Sequence, residues 1–270
     1  MIPKVIHYCW LSKNPMPVEA MECIKSWKRH LPDWEMKLWD MDSFDVNSVK
    51  FVRDAVAARK WAFAADYIRA YAIYTEGGVY LDSDVMVRKN MDFVLENRAF
   101  SAVECYPDLV EKIKQNNLLD EEGNKRDPKQ IIQGIQIQAA IIGGEKGHPF
   151  FKECLDYYQS TDFITDSSGI PYETMISPVV FATLAEKYGF KYVDKEQCLD
   201  SGFKIYPSKI FAPQAFFMNK NDTVAVHCCN GSWRYPLSFR EKTSKYVRET
   251  MKRILYKMGL RKETGVNKLK

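Results

Sequence analysis

The sequence predicts an α/β fold in which a mainly parallel central sheet is flanked by helices. Three observations carry this. Short apolar segments alternate with segments of helical period along the first third of the chain. A Gly77-Gly78 pair separates the strongest helix from a strand that carries an Asp-x-Asp. With 270 residues, 46% hydrophobic and 27% charged, the chain can bury a sizeable core, which excludes disorder and a small disulfide scaffold.

Residues 4–10 read as a buried first strand. Residues 17–30 have helical spacing, with Pro17 near the start, where a missing amide hydrogen costs little. Residues 34–39 alternate and make a second strand. Residues 49–58 are helical, and residues 62–76 are a stronger helix closed by Gly77-Gly78. Residues 79–87 then form a strand carrying Asp82 and Asp84, and residues 104–130 are polar and loop-like. Residues 131–142 read as one apolar strand ending at Gly143-Gly144. Residues 149–158 and 174–188 are helical; residues 223–228 form a short late strand before the loop Cys229-Asn230-Gly231-Ser232-Trp233. No repeat or low-complexity linker interrupts the chain, so the expected organisation is one domain over 1–239 and a basic helix and tail over 240–270.

No window reaches the ~18 apolar residues of a spanning helix. The opening Met1-Ile2-Pro3-Lys4-Val5-Ile6-His7 reads as a strand rather than a signal peptide. Seven Cys without a C-x-x-C pair argue against a disulfide or zinc framework and for a reducing, cytoplasmic setting. The net charge of +4 hides an asymmetry. Residues 240–270 hold 11 Lys and Arg against 3 Asp and Glu, a net of +8; the rest holds 28 against 32, a net of −4. In the tail Val247, Met251, Ile254, Leu255 and Met258 recur at helical spacing among basic residues. Such a helix either lies on an anionic membrane surface or packs on the core with a solvated basic face. Nucleic acid is a poorer partner, because no basic stripe with interleaved aromatics occurs elsewhere.

The most informative stretch is Gly77-Gly78-Val79-Tyr80-Leu81-Asp82-Ser83-Asp84-Val85. Residues i and i+2 of a strand share a face, so the two carboxylates are expected to point into one crevice. Their repulsion calls for a cation or hydrogen bonds. Mg²⁺ or Mn²⁺, hard ions that prefer oxygen ligands, fit best and can bridge the phosphates of a nucleotide. On the preceding helix Asp66 and Arg69 are i, i+3 and share a face. They form either an internal ion pair or a functional pair. In the functional reading Asp66 accepts from sugar hydroxyls, while Arg69 adds charge near a phosphate or holds the carboxylates in place.

Ala64-Ala65-Asp66-Tyr67-Ile68-Arg69 together with Gly77–Asp84 resembles the core signature of the family 32 glycosyltransferases. That family includes bacterial capsule and lipopolysaccharide sugar transferases and yeast Golgi mannosyltransferases, and clostridial toxin glucosyltransferase domains are similar. The opening Ile2–Trp10 and the late His227 with Gly231-Ser232-Trp233 also match, so the resemblance spans residues 2–233. It implies a GT-A type fold, a nucleotide diphospho-sugar donor, a Mn²⁺ or Mg²⁺ ion and retention of anomeric configuration. By position, it implies that Trp10 stacks on the donor base, and that Asp66 and Arg69 hold the donor sugar and ribose region. Asp82 and Ser83 would line the donor site, Asp84 would bind the metal with Asp82 beside it, and His227 would complete the metal shell. Ser232 and Trp233 would close over the diphosphate. Related sequences often carry Asn where Gln138 stands; the added methylene changes the amide's reach toward the sugar.

The expected function is therefore metal-dependent, retaining hexosyl transfer to a glycan acceptor, lipid-linked and membrane-borne, in bacterial capsule, O-antigen or exopolysaccharide synthesis at the inner membrane face. The donor would be a UDP-hexose, a UDP-N-acetylhexosamine or GDP-mannose. Two alternatives use the same residues. An aspartate-nucleophile phosphatase also places Asp-x-Asp after an apolar strand, but usually at its start and with a later acidic pair. A nucleotide-sugar binding module without turnover is the non-enzymatic alternative.

Overall fold

The computed structural model describes residues 1–165, 176–212, 214, 218 and 221–228. Strands β1 (Val5–Cys9), β2 (Glu35–Trp39) and β3 (Gly78–Leu81) run parallel, with β1 in the middle. Val85–Val87 is β4, Ala99–Cys105 is β5 and Ile135–Ile137 is β6. β7 (Ile141–Gly144) inserts antiparallel between β3 and β5. β8 (Gln197–Leu199) pairs antiparallel with β9 (Phe203–Tyr206), which is parallel to β5. The order is β2-β1-β3-β7-β5-β9-β8, with β6 added on β5. β1, β2, β3, β5 and β9 share one direction, so the sheet is mostly parallel, as expected. A small second sheet joins β10 (Phe211–Ala212), β11 (Ala225–His227) and β4.

Period-two alternation sends the strands' side chains into two cores. Tyr80, Val103, Phe203 and Ile205 face one, with α2 (Lys50–Ala57), α3 (Trp61–Glu76), α5 (Pro149–Ser160) and α6 (Ser177–Ala185). Val79, Leu81, Phe100 and Ala102 face the other, with α1 (Val18–His30) and the small sheet. Two contacts pin α1 to β4: Trp27 Nε1–H donates to the Val85 carbonyl at 2.7 Å, and the Val87 amide donates to Ser26 Oγ at 3.0 Å. α3 is apolar nearly all round and buried over most of its length, as a helix between a sheet and other helices must be. Asp66 and Arg69 are therefore interior residues.

The turn into β3 requires glycine. Gly78 has φ +118°, and a Cβ there would stand 2.8 Å from the Val5 carbonyl oxygen and 2.9 Å from His7 Nε2. The fully buried His7 holds this turn. Trp39 Nε1–H donates to His7 Nδ1 at 3.1 Å, so the His7 proton sits on Nε2 and is donated to the Gly77 carbonyl at 2.8 Å.

Several expectations need correction. The strand expected over 79–87 ends at Leu81, and β4 belongs to the other sheet. The strand expected over 131–142 is broken between β6 and β7. The polar stretch 104–130 contains α4 (Pro107–Gln115). β5, β8, β9 and β10 lie where the sequence predicts no element; apart from β5 they are short, and pairing with neighbours defines them more than their own period does. Ser232, Trp233 and the segment 240–270 lie outside the described residues, as do 166–175 at the start of the helix expected over 174–188. Among the described residues no helix is long and apolar enough to cross a membrane.

Candidate functional site

Because β1, β3 and β5 share a direction, their carboxyl ends share an edge of the sheet, the usual place for a ligand in such folds. Trp10, Asp82-Ser83-Asp84 and the Glu104–Tyr106 segment all lie there.

The Asp-x-Asp is a turn between two sheets, not two positions on one strand face. The Asp82 amide donates to the Ala140 carbonyl at 2.9 Å, continuing the β3–β7 ladder, and the Val85 amide donates to the Asp82 carbonyl at 2.9 Å, closing the turn. The chain then enters β4, where Val85 lies opposite His227 of β11. The Cys228 amide donates to the Asp84 carbonyl at 2.9 Å, so the end of β11 is tied to the turn. The carboxylates converge through this arrangement. His227 Nε2 lies 3.3 Å from Asp84 Oδ1 and 3.9 Å from Asp82 Oδ2. One ligand atom from each of Asp82, Asp84 and His227 falls within 4.8 Å of the others, and all three residues are partly exposed. Two hard carboxylates and one imidazole suit a divalent ion such as Mn²⁺ or Mg²⁺, so the donor set fits the cofactor class expected.

Behind this cluster lies a buried charge network. Arg69 Nη2 is 2.9 Å from Asp66 Oδ1 and 3.2 Å from Asp82 Oδ1; Nη1 donates to Ser177 Oγ at 3.3 Å. The Ser177 hydroxyl donates to Asp66 Oδ1 at 2.8 Å, and the guanidinium carbon stands 4.9 Å from the Tyr80 ring centroid. Burial raises the Asp66 carboxyl to about 7, with Arg69 and the Ser177 hydroxyl pulling the other way. For Arg69 burial opposes the charge, but Asp82 and Asp66 outweigh it and raise its pKa. Asp66 and Arg69 thus form the internal ion pair, and the geometry also gives Arg69 the holding role: one guanidinium fixes Asp82 against the α3 core.

Trp10 follows β1 and is half-buried; its amide donates to the Trp39 carbonyl at 2.9 Å and its indole N–H to the Asn14 carbonyl at 2.8 Å. Its neighbour Cys9 interacts electrostatically with Arg69 and Asp82, and burial pushes its thiol up. Ser83 is half-buried within the turn. Gln138 is fully buried. Its Nε2–H donates to the Phe211 carbonyl at 3.3 Å, while Oε1 has no partner among the described residues. Sequence reasoning misses Ser177, Tyr80, Glu104 and Gln136. Glu104 is 8% exposed, with the Tyr106 hydroxyl donating to Oε1 at 2.8 Å. Burial raises its carboxyl; His227 and Tyr106 draw it down, as does Arg69, while Asp82 raises it. An acidic residue near the end of the apolar run 99–105 was the available signal.

Residues 17–101 match the family described as the glycosyltransferase sugar-binding region containing a DXD motif. Two relatives come from Schizosaccharomyces pombe. Inositol phosphoceramide mannosyltransferase 3 is 26% identical over 153 residues, 55% of this chain and 35% of the relative. Inositol phosphoceramide mannosyltransferase 1 is 29% identical over 110 residues, 37% of this chain and 33% of the relative. The matched parts make up about a third of those relatives' length. Similar solved structures include the PaToxG glycosyltransferase, at TM-score 0.45, 15% identity and 69% of each chain. The galactosyltransferase LgtC, in complex with donor and acceptor sugar analogues, gives 0.44 and 14%, covering 92% of this chain and 95% of the other. Mouse xyloside xylosyltransferase 1 gives 0.47 and 11%, covering 86% and 99%. The resemblance to the family 32 glycosyltransferases holds.

Proposed function

We propose that this chain, a DXD-containing glycosyltransferase of GT-A type, moves a hexosyl group from a nucleotide diphospho-sugar to a glycan acceptor with retention of configuration. One observation carries the reading: Asp82, Asp84 and His227 converge within 4.8 Å at the carboxyl edge of the sheet, braced by the buried Arg69–Asp66 pair. A divalent ion held by these three side chains would bind the donor diphosphate and stabilise its charge as it leaves. The protein's own part is positional. Arg69 holds Asp82, the turn presents Asp84, the tie from Cys228 sets His227, and Trp10 flanks the site for the donor base. In the proposed front-side reaction the acceptor oxygen bonds to the anomeric carbon as the bond from that carbon to the phosphate oxygen breaks. The acceptor proton passes to the departing diphosphate, and the oxocarbenium-like charge is stabilised electrostatically.

The relatives' names support GDP-mannose as the first donor to test, ahead of UDP-hexoses and UDP-N-acetylhexosamines, and a membrane-borne, lipid-linked acceptor. The basic segment 240–270 supports peripheral contact with an anionic inner membrane face, and the family resemblance supports a place in surface polysaccharide assembly.

The test is release of nucleoside diphosphate from GDP-mannose, UDP-glucose, UDP-galactose and UDP-N-acetylglucosamine with Mn²⁺, with Mg²⁺ or with chelator. One donor should be turned over only with metal, and Asp84→Ala should abolish it. Metal-independent turnover, or full turnover by that variant, refutes the reading. Liposome pelleting of the chain truncated at residue 239 tests the tail: loss of binding to anionic vesicles is expected, and unchanged binding refutes the membrane contact.

A further inference from the structure

We infer that Glu104, with Gln136 and Gln138 beside it, forms the subsite that reads the hydroxyls of the transferred sugar. This deepens the proposed function and rests on it.

The ladders place Glu104 at the site. Val79 and Phe100 both lie opposite Gly143 of β7, so they are level with each other. Counting on along parallel β3 and β5, Ala102 is level with Leu81 and Val103 with Asp82, whose amide makes the last rung of the β3–β7 ladder; Glu104 follows one residue past that level. Two strand spacings separate β3 from β5, roughly 10 Å. The face is fixed as well. Phe100 and Ala102 belong to the core shared with the small sheet, so by alternation Glu104 faces that sheet, whose β11 ends in His227. Gln136 lies directly opposite Glu104 in the β5–β6 ladder and shares its face.

The chemistry points to a ligand. Glu104, Gln136 and Gln138 are 8%, 3% and 0% exposed, and burying a carboxylate and two amides at a strand end is costly. One of their buried polar atoms is left unmet: Tyr106 donates to Glu104 Oε1, but Gln138 Oε1 has no partner among the described residues. A carboxylate that accepts and amides that both donate and accept are the groups that read a polyol. With the diphosphate at Asp82, Asp84 and His227, the sugar it carries falls between that cluster and Glu104.

The experiment uses Glu104→Gln and Glu104→Ala in the full chain, the donor from the panel above that turns over fastest, and its monodeoxy-sugar analogues. Nucleoside diphosphate affinity with Mn²⁺ should fall by less than about threefold, because Glu104 is not among the three converging ligand side chains and acts on Asp82 and His227 only through its charge. For the parent donor kcat/KM should fall about tenfold to a hundredfold, the size of a lost hydrogen bond to a charged group. Wild-type protein should discriminate against one deoxy analogue, and the Ala variant should lose that discrimination. Should Glu104→Ala fail to fold, the near-isosteric Gln variant carries the same comparison. Unchanged discrimination, or a loss of diphosphate affinity in step with kcat/KM, overturns the inference. Wild-type protein that binds no nucleotide sugar with Mn²⁺ fails one level earlier and removes the proposed function with it.

Discussion

Replacing Arg69 with methionine keeps much of the side-chain length and removes the charge that faces two carboxylates. Arg69 is 4% exposed and touches Asp66, Asp82 and Ser177 from one guanidinium. Without it Asp66 is left buried beside Asp82 with the Ser177 hydroxyl and backbone amide as donors but no opposite charge. Removing one partner of a buried ion pair typically costs about 3–5 kcal/mol. At roughly 2–4 °C per kcal/mol for a chain of this size, the melting temperature should fall by roughly 6–20 °C. Arg69→Lys should fall between the wild type and Arg69→Met, since one ammonium cannot reproduce the fork that reaches three partners. Adding Asp66→Asn to Arg69→Met should recover part of the loss, because it removes the stranded charge. The assay is urea unfolding of five proteins, the wild type, Arg69→Met, Arg69→Lys, Asp66→Asn and the double variant, followed by tryptophan fluorescence and by circular dichroism. A loss under about 1 kcal/mol for Arg69→Met, or strict additivity in the double variant, would refute the claim that this network is one coupled unit.

Asp84→Asn should weaken Mn²⁺ binding by at least about tenfold while leaving the fold intact, checked by calorimetric titration beside a melting curve. Gly78→Ala should lose at least about 2 kcal/mol from its positive φ and its contacts with Val5 and His7, measured by chemical unfolding; a neutral result would contradict the tight β1–β3 approach. His7 makes a pH prediction. Burial lowers its pKa below the ordinary 6.5, so the stability it contributes is present above that pH and is lost as pH falls. The stability difference between wild type and His7→Gln should therefore shrink from pH 7.5 to 5. Asp66 makes the opposite one. Its carboxyl is raised to about 7, so its contribution is present below about 4 and lost as pH rises through 7. The stability of wild type relative to Asp66→Asn should fall from pH 5 to 8; a flat difference would refute the raised value.

The helices with a clear period were legible to within a residue or two: the expected 17–30, 49–58 and 62–76 became α1, α2 and α3. The Gly-Gly turn was legible because only glycine takes up the positive φ at the end of that helix without strain. The pairing of Asp66 with Arg69 followed from their spacing, and the association of Asp82 with Asp84 from the motif. What escaped was anything decided across the chain. Asp82 and Asp84 do not share a strand face, because the ladder with Ala140 ends β3 and the small sheet captures Val85. Ser177 reaches Asp66 over more than a hundred residues, a contact no local pattern announces. Gln138 lies in the break between β6 and β7, so its expected strand position was wrong; its amide donates to the Phe211 carbonyl. The burial of Glu104 was hidden because an acid at the end of an apolar run looks like the start of a loop until β6 pairs beside it.

The most direct measurement is the electron paramagnetic resonance signal of free Mn²⁺ titrated with the protein, with and without GDP or UDP, in wild type and in Asp82→Asn, Asp84→Asn and His227→Ala. One Mn²⁺ per chain, held more tightly when a nucleoside diphosphate is present and weakened in all three variants, is the predicted result. Binding that ignores the nucleotide, or that survives all three substitutions unchanged, would contradict the placement of the diphosphate site at this turn.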